Sequence, residues 1–134
     1  MPSKITRIGT PNAPAPAGHY SQGVAWRDLV CISGQLPIEP GGQRLTDAPF
    51  DQQARQALNN LLAIAAAGGA TPSSVLKVTA YIVGVEHWPE FNRVFAELFG
   101  DARPARAVVP VPELHHGFLV EVEGLAARSD SAGE

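Results

Sequence analysis

The sequence has 134 residues, of which 45% are hydrophobic and 17% are charged, and its formal net charge is −3. This length and balance predict one globular domain over residues 1–134 and exclude a disordered chain. With 10 Lys and Arg residues and no basic stripe, the sequence lacks the electrostatic footprint of a nucleic-acid-binding protein.

No apolar segment is long enough to span a bilayer, and MPSKITRIGT at the N-terminus lacks the apolar core of a signal peptide. We therefore expect a soluble, cytoplasmic protein with no membrane partner. Cys31 is the single cysteine, which excludes an internal disulfide. Its apolar neighbours in LVCIS predict a buried, reduced thiol.

In chain order, the first elements are a short strand, a loop and a hairpin. Residues 9–20 (GTPNAPAPAGHY) are rich in Pro and Gly without periodicity, which is typical of an ordered loop or an extended arm. The segment GVAWRDLVCISG reads as two strands joined at Arg27 and Asp28. Apolar residues at three- and four-residue steps then predict a helix over 51–67, which Gly68 and Gly69 end.

The second half begins with VLKVTAYIV (75–83), a β-branched run of strand length. A second helix is predicted within EHWPEFNRVFAELFG (86–100), because Pro89 stands near its start and Gly100 just past its end. Two strands, 105–111 and 118–126, complete the chain as a final hairpin. The predicted core covers about 4–127, and the polar tail 128–134 is expected to be disordered.

This order predicts an α+β fold in which two strand–helix–strand crossovers place both helices on one face of a mixed sheet. The other face of the sheet is then left bare by this chain. Because the strands are rich in apolar residues, that face is expected to meet a ligand or another copy of the chain in a homo-oligomer.

Arg106 and the last strand are the most informative place for chemistry. Alternate side chains of a strand share a face, so Arg106 is grouped with Val108, and Glu121 with Glu123. If the arginine and the glutamates lie on the same side of the sheet, a cation faces two carboxylates. The register is not readable from the sequence, and an ordinary surface ion pair is the alternative interpretation.

The residue types indicate a small carboxylate as ligand. Arginine binds a carboxylate through two parallel hydrogen bonds and stays charged at any working pH, which makes Arg106 the candidate anchor. A neighbouring glutamate can orient a water molecule or transfer protons. The paired glutamates also suggest a glycosidase, but the sequence has no cluster of aromatic residues to hold a sugar.

The histidines, serines and glycines indicate neither a metal site nor a cofactor. His115 and His116 are adjacent and are expected to point apart, while His19 and His87 stand alone. No HxH or HExxH spacing is present, and no GxSxG, GxGxxG or Walker pattern surrounds the serines or the Gly-Gly pairs. We therefore expect no metal and no cofactor.

Seven segments in order resemble the Rid family, the reactive intermediate deaminases also called YjgF. The resemblance runs from about residue 10 to residue 127, and its most specific parts are SGQ, PAR and VEVEGLA. The segments are GHYSQGV (18–24), ISGQLP (32–37), QARQALNNL (53–61), LKVTAYIV (76–83), FNRVFAELF (91–99), RPARAVV (103–109) and FLVEVEGLA (118–126).

The resemblance implies a chorismate-mutase-like fold, a homotrimer with clefts between subunits, and no cofactor. It implies hydrolysis of 2-aminoacrylate, 2-iminopropanoate and 2-iminobutanoate to 2-oxo acids and ammonia. By the same resemblance, Arg106 holds the substrate carboxylate and Glu121 activates the water. The other residues assigned to the substrate site in this way are Tyr20, which closes the cleft, Gly34, whose backbone contacts the ligand, Asn92 at the subunit boundary, and Val108.

Several positions depart from the family pattern. His19 stands where well-known members have proline, Ala107 and Val108 replace a Ser-Cys pair, and the loop PELHHGF (112–118) replaces an LPKD-like form. These changes affect the expected substrate more than the expected reaction. The alternatives are a non-catalytic trimer that binds small carboxylates or a partner protein, and a pericyclic mutase, which would require more cations than one arginine.

Overall fold

The computed structural model describes residues 4–129. Within this range, two helices and six strands are formed, with short 3-10 turns between some of them. The strands are β1 (Thr6–Ile8), β2 (Gly23–Trp26), β3 (Leu29–Gln35), β4 (Val75–Ile82), β5 (Ala105–Pro110) and β6 (Val120–Ala127), and the helices are α1 (Phe50–Ala67) and α2 (Trp88–Phe99). The predicted helices and strands are therefore confirmed, with bounds that differ by a few residues.

The predicted tail 128–134 lies mostly outside the described residues. Its first residue, Arg128, is held against the β2–β3 turn: its backbone N–H donates to Asp28 O at 2.9 Å and its Nε to Arg27 O at 2.6 Å. Within residues 4–129, neither helix combines the length and the apolar character that a bilayer span requires.

The six strands form one mixed sheet in the order β1-β2-β3-β6-β4-β5. β4 and β5 are parallel, and every other neighbouring pair is antiparallel. The predicted hairpin at Arg27 and Asp28 is confirmed. The predicted final hairpin is wrong, because β6 does not pair with β5 but lies between β3 and β4.

The central position of β6 follows from its side chains. Val120 and Val122 are fully buried and alternate with half-buried or exposed residues, and Phe118 just before the strand is buried too, so β6 offers one strongly apolar face. A strand between β3 and β4 covers that face with α1, whereas a strand outside β5 would leave it at the edge.

Both helices pack on one face of the sheet, as predicted from the two crossovers β3-α1-β4 and β4-α2-β5. In α1 the buried residues recur at three- and four-residue steps and include Leu58, Leu61 and Ile64. In α2 the buried residues are Phe91, Val94, Phe95 and Phe99. α2 ends at Gly100, whose φ of 61° is in the left-handed region that favours glycine.

Residues 4–129 do not cover the opposite face of the sheet. Cys31 of β3, Lys77 of β4 and Glu123 of β6 are exposed there, next to half-buried Leu125. The prediction that Cys31 is a buried thiol is wrong. Its neighbours Val30 and Ile32 are buried, so the apolar run indicated a buried strand correctly but not the face on which Cys31 lies.

Gln53 connects α1 to the loops around it from a fully buried position. Its Nε2 donates to Ala48 O at 3.0 Å and Thr46 O at 3.3 Å, and its Oε1 accepts from Leu119 N at 3.0 Å. This side chain therefore fixes both the entry to α1 and the start of β6.

We expect Gln53→Leu to lower the free energy of unfolding by about 2 to 4 kcal/mol, because buried carbonyls and the Leu119 N–H would lose their partners. Gln52→Leu, at an exposed position of the same turn, is the matched control. Urea denaturation of both variants measures the difference. An equal, small change in both would contradict the structural role given to Gln53.

Candidate functional site

Arg106 lies on β5, which is one of the two edge strands of the sheet. It pairs with Val78 of β4, whose side chain is buried under the helices, so Arg106 projects to the helix-covered side. Its Nη1 donates a hydrogen bond to Asn92 Oδ1 at 3.0 Å. Its Cζ lies 4.9 Å from the centroid of the Phe95 ring and 5.8 Å from that of Phe91. The guanidinium is thus held on one surface of α2.

Arg106 has no carboxylate partner among residues 4–129. The two glutamates of α2 are occupied by other cations: Glu97 contacts Arg55 at 2.5 Å and Arg93 at 3.0 Å, and Glu90 contacts Arg93 at 3.9 Å. The hydrogen bond from Arg55, with help from Arg93, holds the pKa of Glu97 below its ordinary value. A guanidinium with one hydrogen bond and no counter-ion can accept a carboxylate from outside the chain.

Val108 lies two residues beyond Arg106 on the same side of β5, opposite Ala80 of β4. Its side chain is half-buried and packs against the hydrophobic core. The surface beside the guanidinium is therefore apolar along the strand. This arrangement suits a ligand with a carboxylate at one end and a short apolar group next to it.

Glu121 lies on the open side of the sheet, near the start of β6. Tyr81 is its cross-strand partner on β4, and both side chains are half-buried. On the other flank, a Cβ atom built on Gly34 would lie 2.6 Å from Glu121 Oε2, closer than real Cβ atoms come. Gly34 is therefore the residue that leaves room for the Glu121 carboxylate.

Burial raises the pKa of the Glu121 carboxyl, and the like charge of Glu123 raises it further. The charge of His115 acts in the opposite direction and lowers it. Both raising effects disfavour the ionised form, so Glu121 binds a proton more readily than an exposed glutamate does. A carboxylate of this kind is suited to accept and return a proton.

Gly34 belongs to an irregular part of β3 that sequence reasoning did not identify. The register with β6 shifts between Ile32 and Gln35, which leaves Ser33 and Gly34 outside the regular ladder. The buried Gln35 donates from Nε2 to the carbonyls of Ser33 and Gly34, both at 3.2 Å. The SGQ motif thus combines a bulge with the side chain that fixes it.

Tyr20 lies in the loop before β2 and is 51% exposed. Its hydroxyl accepts a weak hydrogen bond from Ala17 N at 3.4 Å. The next residue, Ser21, is tied to β3 because its carbonyl accepts from Ser33 Oγ at 2.6 Å. Tyr20 therefore belongs to the part of the molecule that contains Gly34, and its exposed ring is available to another molecule.

Within one chain, the predicted site residues form two separate groups. Arg106, Asn92 and Val108 lie at the β5 edge on the helix side, whereas Glu121 and Gly34 lie on the open side. The structure therefore contradicts the same-side arrangement of arginine and glutamates considered from the sequence. The alternative of a surface ion pair is equally contradicted, since Arg106 has no ion-pair partner within residues 4–129.

The loop before β6 brings its two histidines together. The rings of His115 and His116 have centroids 3.6 Å apart, so the prediction that they point apart is wrong. The physical reason is the backbone of His116, whose φ of 60° turns its side chain back over its neighbour. Partial burial, and then the positive charges of Arg44 and His115, lower the pKa of His116.

Comparisons with known proteins give a consistent result. Residues 10–128 match the model of the family described as Endoribonuclease L-PSP. A RutC family protein from Pyrococcus horikoshii is 39% identical over 121 residues, covering 90% of this chain and 96% of that protein. A 2-iminobutanoate/2-iminopropanoate deaminase from Dermatophagoides farinae is 37% identical, covering 88% and 92%. The crystal structure of E. coli TdcF with bound serine has a TM-score of 0.87 at 33% identity, covering 92% and 99%.

We expect carboxyl NMR titration to give Glu121 a pKa above the ordinary glutamate value. Glu123→Gln is expected to lower this pKa, because it removes a like charge, and His115→Asn to raise it, because it removes a positive one. Glu113→Gln, an exposed charge change in the same loop as His115, is the control and should leave the titration unchanged. A wild-type pKa at or below the ordinary value would refute this account.

Proposed function

The chain belongs to the Endoribonuclease L-PSP family, which includes the YjgF, RutC and Rid proteins, and from this premise we propose that it hydrolyses reactive 2-imino acids. The substrates are 2-aminoacrylate, through its imine tautomer, 2-iminopropanoate and 2-iminobutanoate. The products are 2-oxo acids and ammonia. The observation that supports this most directly is the Arg106 guanidinium, fixed on α2 without a counter-ion among the described residues.

In the proposed mechanism, Arg106 binds the carboxylate of the substrate. Asn92 accepts from Nη1, which leaves the Nε–Nη2 edge of the guanidinium for two parallel hydrogen bonds. A protonated imine is already a strong electrophile, so the protein has to provide mainly position and a proton acceptor. Similarity to the E. coli protein solved with bound serine, which itself contains a carboxylate, supports this assignment.

Glu121 is the proposed proton acceptor for the attacking water. As the water oxygen bonds to C2 of the protonated imine, Glu121 takes a proton from the water and then gives it to the nitrogen. As the C2–N bond breaks, Glu121 accepts the proton of the new hydroxyl group, so that the 2-oxo acid and ammonia form. Glu121 then returns this proton to ammonia, which leaves as ammonium. Atoms and charge balance without an oxidant or a cofactor. The raised pKa of Glu121 brings the carboxyl closer to neutral pH, which favours transfer in both directions.

The proposed site combines residues of two subunits. Arg106 and Glu121 lie on opposite faces of the same sheet, so one chain does not bring them to one substrate. The uncovered face, with Glu121, Gly34 and the neighbouring Tyr20 loop, is available to the β5 edge of another copy. A homotrimer built in this way would cover the open face of each sheet and form three equivalent clefts.

The second candidate is a trimer that binds small carboxylates without catalysis, because Arg106 alone would serve that function. The family description also names an endoribonuclease, so RNA belongs in the tests, although a net charge of −3 does not favour binding to phosphates.

A cytoplasmic location is part of the same proposal, and fractionation of cells that express the tagged full chain tests it.

We expect Arg106→Ala to lower kcat/KM for freshly generated 2-iminobutanoate by about 10²-fold or more, because two charge-assisted hydrogen bonds are lost. Arg103→Ala, an exposed arginine just before β5, is the matched control and should keep full activity. The assay measures 2-oxobutanoate and ammonia from a dehydratase-coupled source. Unchanged turnover in Arg106→Ala would show that Arg106 does not bind the substrate carboxylate.

Glu121→Gln is expected to lose about 10²- to 10⁴-fold in kcat while still binding a 2-oxo acid. Glu113→Gln, an exposed charge change, is the control and should keep full activity. If wild-type protein binds 2-oxobutanoate but does not accelerate imine hydrolysis, the non-catalytic candidate replaces the deaminase. If it instead cleaves RNA, and Glu121→Gln does not, the site serves nucleic acid.

Mixing inactive variants tests the two-subunit site. When Arg106→Ala and Glu121→Gln are co-expressed in equal amounts, about one quarter of the sites in random oligomers combine an intact Arg106 with an intact Glu121 from a neighbour. We therefore expect about a quarter of wild-type activity from the mixture and about 1% or less from either variant alone. Sedimentation gives the oligomeric mass. A stable oligomer without recovered activity would assign both residues to one chain.

A further inference from the structure

Phe95 occupies the centre of an aromatic column along α2. Its ring contacts Phe91 on one side, with centroids 5.8 Å apart, and stacks on Phe99 on the other, with centroids 4.3 Å apart and an interplanar angle of 20°. Phe95 is 7% exposed, whereas Phe91 is fully buried. Of these rings, Phe95 lies nearest the guanidinium, with its centroid 4.9 Å from Arg106 Cζ, against 5.8 Å for Phe91.

We propose that Phe95 is a positioning residue for Arg106: its ring face supports the guanidinium so that the Nε–Nη2 edge is presented to a carboxylate. This inference rests on the proposed function for the identity of the anion. The Phe95 ring lies against one face of the guanidinium, with its centroid 4.9 Å from Cζ. The Nη1 group is fixed by its 3.0 Å hydrogen bond to Asn92 Oδ1. These two contacts come from adjacent turns of one helix.

The need for such a support follows from the lack of an ion pair to Arg106 among the residues that the structure describes. An arginine with a carboxylate neighbour is fixed by that neighbour, but then its charge and its donors are already used. The negative face of an aromatic ring attracts the cation without occupying any N–H donor. Phe95 can therefore fix the plane of Arg106 while its remaining donors stay available. Because the side chain of arginine has many rotamers, fixing it beforehand reduces the entropy lost on binding.

The position of Val108 next to Arg106 indicates which substrates the site would prefer. Val108 lies two residues beyond Arg106 on the same face of β5 and is half-buried, so an apolar group next to the bound carboxylate can contact it. Arg106 provides the positive charge at this site, and Glu97 of α2 already forms ion pairs with Arg55 and Arg93. The site so defined fits a monocarboxylate with a short apolar side chain better than a dicarboxylate.

The experiment compares Phe95→Leu with Phe99→Leu, which removes a similar volume from the same column without touching Arg106. The first measurement is the rotation rate about the Arg106 Nε–Cζ bond, obtained by NMR on the protein without ligand. We expect this rotation to become about three- to tenfold faster in Phe95→Leu and to change by less than about twofold in Phe99→Leu. Phe95→Tyr should restore the slow rate, because it keeps the ring.

The second measurement is the dissociation constant for 2-oxobutanoate, with KM and kcat for the imine. We expect Phe95→Leu to raise the dissociation constant and KM by about three- to tenfold with little change in kcat, because binding weakens equally in the ground and transition states. A rate of guanidinium rotation that is the same in Phe95→Leu and wild type, or equal effects of Phe95→Leu and Phe99→Leu, would overturn the proposal. If Phe95→Leu does not fold, Phe95→Met takes its place.

The two measurements separate the two proposals. If wild-type protein does not bind 2-oxobutanoate, the proposed function fails, and the rotation rate still decides whether Phe95 holds Arg106. If wild-type protein binds it and the rotation rate does not respond to Phe95→Leu, the proposed function stands and the positioning role is wrong.

Discussion

The insertion of β6 between β3 and β4 is the constraint on which the rest of the structure depends. It makes β5 an edge strand, and it directs Glu121 to the open side while Val120 and Val122 fill the core under α1. The parallel register of β4 and β5 then directs Arg106 to the helix side. The two charged groups with the most evident chemistry therefore lie on different faces of one sheet.

Because of this separation, Arg106 and Glu121 do not form an ion pair with each other within residues 4–129. An arginine and a glutamate side by side on one strand face would form an ion pair, which would lower the pKa of the acid and occupy the donors of the cation. Here burial and Glu123 raise the pKa of Glu121, and Arg106 is supported by aromatic rings and an amide. In the proposed oligomer, the two would meet across a boundary where a substrate can lie between them.

The sequence predicted the elements well because their signals are local. Apolar spacing defines α1, Pro89 and Gly100 bracket α2, and the Rid resemblance implied the fold class that the structural comparison confirms. Strand order is not local: alternation shows which residues share a face within a strand but not which strand lies next to it. That is why the final hairpin and the burial of Cys31 were predicted wrongly.

The same distinction applies to the candidate site. Motifs could suggest Arg106 and Glu121, because their chemistry is carried by residue type, but the supports of these residues are tertiary contacts. In the sequence, Phe95 is one of several apolar residues at helical spacing, which predicts a core residue. The structure confirms that it is buried. Its second role depends on a crossover that places β5 beside α2. A residue can therefore contribute to stability and to a site at once, and the contact with a charged neighbour distinguishes Phe95 from Phe99.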